Sequence, residues 1–198
     1  MGVRLVLLRH GQTAWNAEGR LQGQEDVPLN EKGLLQAASA ATPVAVYQPV
    51  RIIASDLQRA AMTAQALGEV TGLEITYDSR LREIGYGQWE GRTRDEIGAD
   101  VLAEVYESAE NPRGVDGESL TDAAARTAEA LAEIAASGKD GETIVVVTHG
   151  TVARAGVQHL LGVPHELWEG FRTMGNCHWL ILEREPHRWQ LVSYNLHA

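Results

Sequence analysis

Leu5-Val6-Leu7-Leu8-Arg9-His10-Gly11-Gln12-Thr13-Ala14-Trp15-Asn16 opens on four consecutive apolar residues and breaks into a polar, glycine-bearing run. That pattern reads as a buried strand ending in a functional loop. Arg9 and His10 stand where the strand stops. Ligands of open α/β sheets collect at the carboxyl ends of strands, so a cation and an imidazole there point to an anion site. Gly11 lets the backbone turn sharply beside it.

An Arg-His pair alone is weak, because a lone histidine is more often a hydrogen-bonded structural residue than a nucleophile. Two further strand-to-loop breaks strengthen it. Ile144-Val145-Val146-Val147-Thr148-His149-Gly150 is one, and Ile52-Ile53-Ala54-Ser55-Asp56-Leu57-Gln58-Arg59-Ala60 is the other. Each delivers a histidine or an arginine just beyond a hydrophobic strand.

The 198 residues suffice for one domain with a sizeable core, decorated by a small insertion. A net charge of −10 argues against a nucleic-acid binder, which needs a basic face. A small anionic substrate stays compatible, since a local arginine cluster outweighs the global sign. Cys177 is the only cysteine, which rules out an internal disulfide and a cysteine-rich metal site and makes a reducing, cytoplasmic setting the default. The first apolar run, interrupted by Arg9 and His10, is too short for a signal core or a membrane span. His159, His165, His178, His187 and His197 show no metal-ligand spacing, so neither a metal nor a cofactor is expected.

Along the chain, Glu18 to Leu29 reads as a surface loop bordering the pocket. Asn30 caps a predicted helix from Glu31 to about Ala41 that ends before Pro43, with Gly33 weakening it. A strand over Arg51–Ser55 leads to a helix starting at Ser55 or Asp56 and closing near Gly68 or Gly72. Arg59 falls in its first turn, where a cation opposes the helix dipole unless an anion binds nearby. Leu73 to Tyr77 is β-like, and Asp78 to Gly91 is irregular and rich in glycine and aromatics. From Glu83 to Asp122 acidic residues outnumber basic ones, as on a solvated helical face. Ser119 and Asp122 resemble a capping box before a helix to about Ala136. A strand over Glu142–Thr148, a helix over Thr151–Leu161 and two strands, His178–Glu183 and Arg188–Asn195, complete the chain. Trp168, Trp179 and Trp189 are expected in a core or interface, whereas Trp15 and Trp89 lie in pocket loops.

If His10, Arg9, Arg59 and His149 converge beneath Glu83, the chemistry follows. Two guanidiniums suit phosphate oxygens, and the second imidazole donates one more hydrogen bond. A neutral His10, its other ring nitrogen held by a backbone carbonyl, attacks phosphorus and becomes a phosphohistidine. Glu83 supplies the leaving group's proton and later takes one from water, provided Arg82 does not pair with it.

Leu8-Arg9-His10-Gly11-Gln12-Thr13 with Asn16, Ser55-Asp56-Leu57-Gln58-Arg59-Ala60 with Thr63-Ala64, Arg82-Glu83 and Thr148-His149-Gly150 together resemble the histidine phosphatase superfamily, also called phosphoglycerate mutase-like. The resemblance runs from residue 5 to about 195. It implies an α/β three-layer sandwich with a mostly parallel central sheet, helices on both faces and a small helical cap over 84–118, all within one domain, 1–198. It further implies His10 as the phosphorylated residue, Glu83 as proton donor, and Arg9, Arg59 and His149 completing the phosphate pocket. Asn16, Gln22, Gly23 and Gly150 would bind substrate, and a homodimer rests on the resemblance alone.

Mutases of the family carry an insertion after the acid and follow it with Arg-His-Tyr. Here Ile84-Gly85-Tyr86-Gly87-Gln88-Trp89-Glu90-Gly91 follows Glu83 and the interval to His149 is short, which favours a phosphatase of a small phosphorylated metabolite. Gln22-Gly23-Gln24, Leu67-Gly68-Glu69, Thr71-Gly72-Leu73 and Met174-Gly175-Asn176 are similar to phosphatases of a sugar-linked phosphoglycerate, whose glycosyl part would lie near Tyr86, Trp89 and Tyr106. A phosphoglycerate mutase and a non-catalytic phospho-ligand binding module are the alternatives.

Overall fold

A strand can be apolar at every position only if both its faces are covered, and β1 (Val3–Arg9) is covered on both. The computed structural model describes residues 2–186 and 188–198; Met1 and His187 lie outside them. After β1 the elements are α1 (Ala14–Glu18), α2 (Glu31–Ala45), β2 (Arg51–Ala54), α3 (Gln58–Thr71), β3 (Ile75–Tyr77), α4 (Arg94–Ile97), α5 (Ala99–Tyr106), α6 (Leu120–Ala136), β4 (Thr143–Thr148), α7 (Gly150–Leu160), β5 (Trp179–Glu185) and β6 (Arg188–Leu196). Short 3₁₀ turns occupy Ser79–Leu81, Gly87–Trp89 and His165–Gly170.

The sheet runs β3-β2-β4-β1-β5-β6. Its first four strands are parallel; β5 runs antiparallel to β1, and β6 antiparallel to β5. Val6 and Leu8 face Ala37, Ala41 and Val44 of α2 with Ala60, Ala64 and Leu67 of α3. Val3, Leu5 and Leu7 face Leu131 and Ile134 of α6 with Ala153 and Val157 of α7. The expected three layers are present. A further cluster, in which Ile84, Tyr86 and Trp89 meet Leu120, Val152 and Trp168, fixes the segment after Glu83 over the starts of α6 and α7. Among the described residues no helix is long and apolar enough to cross a membrane.

Several local expectations need correction. The helix capped by Asn30, whose Oδ1 accepts from the Gly33 N–H at 2.8 Å, does not stop before Pro43 but continues to Ala45. Proline removes one donor, and the carbonyl deprived of it belongs to Ser39, an exposed residue. The start of α3 is capped neither by Ser55 nor by Asp56. Its Gln58 N–H donates to Asp26 Oδ1 at 2.7 Å, from the distant 18–29 loop, while Asp56 is held by Arg82.

Thr13 to Glu18 is not loop: Thr13 and Asn16 form a capping box that starts α1. Ser119 caps α6, but Asp122 bonds its hydroxyl at 2.6 Å rather than the cap N–H. The acidic stretch is not one helical face; its α-helical parts are the short α4 and α5 and the first turn of α6, and Glu83, Glu90 and Glu118 turn inward to accept backbone hydrogen bonds.

Gly33, read from sequence as a weakness, permits a close approach. A Cβ there would lie 2.0 Å from the Gln12 carbonyl oxygen, and one on Gly11 would lie 2.5 Å from the Gly33 carbonyl oxygen. The start of α2 therefore packs backbone against backbone on the loop after β1. Gly33→Ala is expected to destabilise the fold by about 2 kcal/mol, as overpacking does, visible as a lower urea midpoint. An unchanged midpoint would show that this contact is slack.

Candidate active site

Because β1, β2 and β4 are parallel neighbours, their carboxyl ends open at one place. Each break read from the sequence lands there. The His10 N–H donates to the Thr148 carbonyl at 3.0 Å, and the Arg9 N–H to the His178 carbonyl at 2.9 Å, so the dipeptide is fixed by the strands on either side. The His10 ring is 2 % exposed. Its Nδ1 lies 2.7 Å from the Gly11 carbonyl oxygen, an acceptor only. Nδ1 must carry the proton, leaving the Nε2 lone pair unprotonated.

His149 meets this ring edge-on, with centroids 5.1 Å apart. Arg59 Nε donates to His149 Nδ1 at 3.2 Å, so the proton of that ring is on Nε2, 2.9 Å from Ser55 Oγ. The sequence reading gave His149 a hydrogen bond to the anion. In this geometry both its nitrogens are engaged within the protein, and it orients Arg59.

The guanidinium of Arg59 is fully buried and donates to the carbonyls of Glu25 and Gly23, each at 2.7 Å. Arg9 donates to the Met174 carbonyl, and its buried Nε has no partner among the described residues. Among the described residues neither arginine forms an ion pair. Burial lowers the pKa of both, and pushes that of Arg59 down to about 10. Burial, then the charges of Arg59 and Arg9, hold His10 well below the ordinary imidazole value; burial and Arg59 do the same for His149.

Glu83 projects onto the start of α7. Its Oε1 accepts from the Ile84 and Val152 N–H groups at 3.0 and 3.2 Å, and its Oε2 from Thr151 at 3.2 Å. Arg82 pairs with Asp56 at 2.7 and 2.5 Å and so leaves Glu83 free. Behind it, Arg126 donates to the carbonyls of Arg80, Arg82 and Glu83 while held bidentately by Glu118 at 2.8 Å. Neither Arg126 nor Glu118 was a candidate from sequence, since nothing local marks a pair joined through the start of α6.

Of the remaining candidates, Asn16 accepts through Oδ1 from Thr13 and Asn176, and Gln22 through Oε1 from Thr13, so both keep their amide N–H groups for other partners. Gly23 has φ +54, and its carbonyl holds Arg59. Gly150 lets the arginine come close: a Cβ there would sit 3.1 Å from Arg9 Nε. Asn176 and Ser55 were missed as site residues. The Asn176 amide donates to the His10 carbonyl at 3.1 Å. Trp89 is buried against Gly114, and Trp15 packs on Gly91.

The buried imidazoles give a pH dependence. Below about pH 6.5 the unfolded chain protonates both, whereas the native state does not. The unfolded state then binds more protons, so stability rises with pH in this window and is lost as pH falls. The unfolding free energy, followed through the urea midpoint, is expected to drop between about pH 7 and about pH 5, by up to about 1.4 kcal/mol per pH unit for each histidine. A midpoint that rises on acidification would contradict neutral, buried rings.

The chain resembles known proteins over nearly its whole length. Residues 5–197 match the model of the histidine phosphatase superfamily, branch 1. The chain is 41 % identical to a glucosyl-3-phosphoglycerate phosphatase of Mycobacterium tuberculosis, over 98 % of this chain and 95 % of that protein. It is 33 % identical to a probable phosphoglycerate mutase of Salmonella arizonae, over 94 % of this chain and 87 % of that protein. A solved structure of mycobacterial glucosyl-3-phosphoglycerate phosphatase with VO3 superposes with a TM-score of 0.90 at 40 % identity, covering 97 % of this chain and 98 % of that one. The chain therefore belongs to the histidine phosphatase superfamily, branch 1.

Proposed function

We propose that this protein is a metal-independent phosphomonoesterase that works through a phosphohistidine on His10. The observation that carries the reading is the half-buried guanidinium of Arg9 and the buried one of Arg59, without a carboxylate partner among the described residues, beside a neutral ring whose Nε2 is unprotonated. Unpaired buried charge is costly. A phosphate dianion is the counter-charge that relieves it.

In this reading the phosphoryl group seats between the two guanidiniums, with the amides of Asn16 and Gln22 and the backbone at Gly23 and Gly150 completing its cradle. The Nε2 lone pair attacks phosphorus in line, forming N–P as the ester P–O bond breaks. The departing oxygen takes a proton from Glu83. Water then gives a proton to Glu83 and attacks the phosphohistidine, releasing inorganic phosphate and restoring His10. The arginines stabilise the equatorial oxygens throughout. His149 keeps Arg59 aimed, and the 84–118 segment acts as a cap over the site.

The substrate is a small phosphorylated metabolite, and glucosyl-3-phosphoglycerate is the first candidate, on the likeness to proteins of that name. The reading includes a cytoplasmic setting, supported by a single, buried cysteine, and a homodimer, supported by family resemblance. p-Nitrophenyl phosphate is expected to be hydrolysed at the same rate with and without EDTA. Failure to release phosphate from it and from a phosphomonoester panel containing glucosyl-3-phosphoglycerate would sink the reading.

A further inference from the structure

Two different helices hold Glu83. Its carboxylate accepts from N–H groups at the start of α7, and its main chain is gripped from the start of α6 by Arg126. A guanidinium carries five N–H donors, and here all five are used. Nη1 donates to the carbonyls of Arg80 and Arg82, each at 2.7 Å. Nη2 donates to the Glu83 carbonyl at 3.0 Å and to Glu118 Oε2 at 2.8 Å, and Nε donates to Glu118 Oε1 at 2.8 Å.

Glu118 completes the grip on the other side of the acid. Its Oε2 accepts from the Gly85 N–H at 2.7 Å, and its own N–H donates to the Gly85 carbonyl at 2.8 Å. Burial works to raise the Glu118 carboxyl, but the hydrogen bonds from Arg126 and Gly85 outweigh it and hold the pKa below its ordinary value, so a full counter-charge faces the arginine. One ion pair, its side chains 20 % and 27 % exposed, therefore fixes the backbone before Glu83, at Glu83 and after it. The 84–118 segment leaves from this pair and returns to it.

We infer that Arg126, with Glu118 as its counter-ion, is a positioning residue for proton transfer by Glu83. The inference rests on the phosphatase reading above and adds to it what keeps the acid aimed. A carboxyl that hands a proton to the leaving oxygen, or takes one from water, turns an oxygen toward that partner and loosens its hold on the α7 N–H groups. The anchored main chain then keeps it in place. Arg82 cannot do this, because it is spent on Asp56. Nor can a lysine at 126, since an ammonium presents three donors from one point and does not span three carbonyls and a carboxylate.

p-Nitrophenyl phosphate separates the two half-reactions, because its leaving group needs no acid whereas hydrolysis of the phosphohistidine needs Glu83 as base. Followed by rapid quench, Arg126→Lys is expected to form the phosphohistidine within about twofold of the wild-type rate but to hydrolyse it about tenfold more slowly or worse, since a misplacement of about 1 Å can cost about 100-fold. kcat and KM then fall together and kcat/KM stays nearly constant. In a Glu83→Gln background the same substitution should cost less than about twofold, because the group it positions is gone. Glu118→Gln, which keeps the side-chain shape, should show the same pattern to a smaller degree, and circular dichroism with urea unfolding checks that each variant is folded. Hydrolysis of the phosphohistidine within twofold of wild type in Arg126→Lys overturns the inference. So does an equal slowing of both half-reactions, or an undiminished loss in the Glu83→Gln background, either of which marks a general structural role. If neither variant folds, the pair is a determinant of the fold and the inference is likewise overturned. No hydrolysis by the wild type overturns the phosphatase reading, and this inference with it.

Discussion

Turnover of p-nitrophenyl phosphate is expected to fall by about 10,000-fold or more in His10→Ala, the scale seen when an enzyme loses its nucleophile. No neighbouring group can replace it. His149 holds its Nδ1 against Arg59 and its Nε2 against Ser55, and the Cys177 thiol, its pKa pushed up to about 12 by burial, is not a ready thiolate. Arg9 and Arg59 are anchored by backbone carbonyls rather than by the His10 ring. The phosphate cradle therefore survives, and the loss falls on kcat. Circular dichroism and urea unfolding separate this from a folding defect. Activity within tenfold of wild type in a folded variant would mean the wrong nucleophile has been named.

Glu83→Gln carries the second large effect, and its form is as informative as its size. The amide keeps the shape but neither gives nor takes the required proton, and general acid–base groups contribute about 100- to 10,000-fold. An alkyl phosphate needs the acid to leave, so both its formation and hydrolysis of the phosphohistidine slow. p-Nitrophenolate leaves unaided. With that substrate the first turnover should stay fast and the steady state drop about 100-fold or more, giving a burst of one product per site. A variant that slows both substrates equally, with no burst, would place the proton transfers elsewhere.

The sheet was readable because β1 and β4 are apolar at nearly every position, which only a doubly covered strand tolerates. Strand ends then located Arg9, His10 and His149, and the helix following β2 located Arg59. What local pattern does not encode is pairing across the chain. The capping of α3 by Asp26, the diversion of Arg82 onto Asp56, and the bracing of Glu83 by Arg126 and Glu118 all join residues far apart in sequence. Pro43 misled for a related reason. Proline breaks a helix by removing a donor, and near a helix end the bereaved carbonyl belongs to an exposed residue. Gly33 misled in the opposite sense, since its helix propensity said nothing of the backbone of Gln12 pressed against it.

The mechanism turns on a covalent N–P bond at His10. Glu83→Gln mixed with p-nitrophenyl phosphate, quenched in alkali within the burst and digested for mass spectrometry, should yield one phosphate on His10 that acid removes and that His10→Ala lacks. A burst of p-nitrophenolate with no phosphate on that ring, or with the phosphate on another side chain, would contradict it.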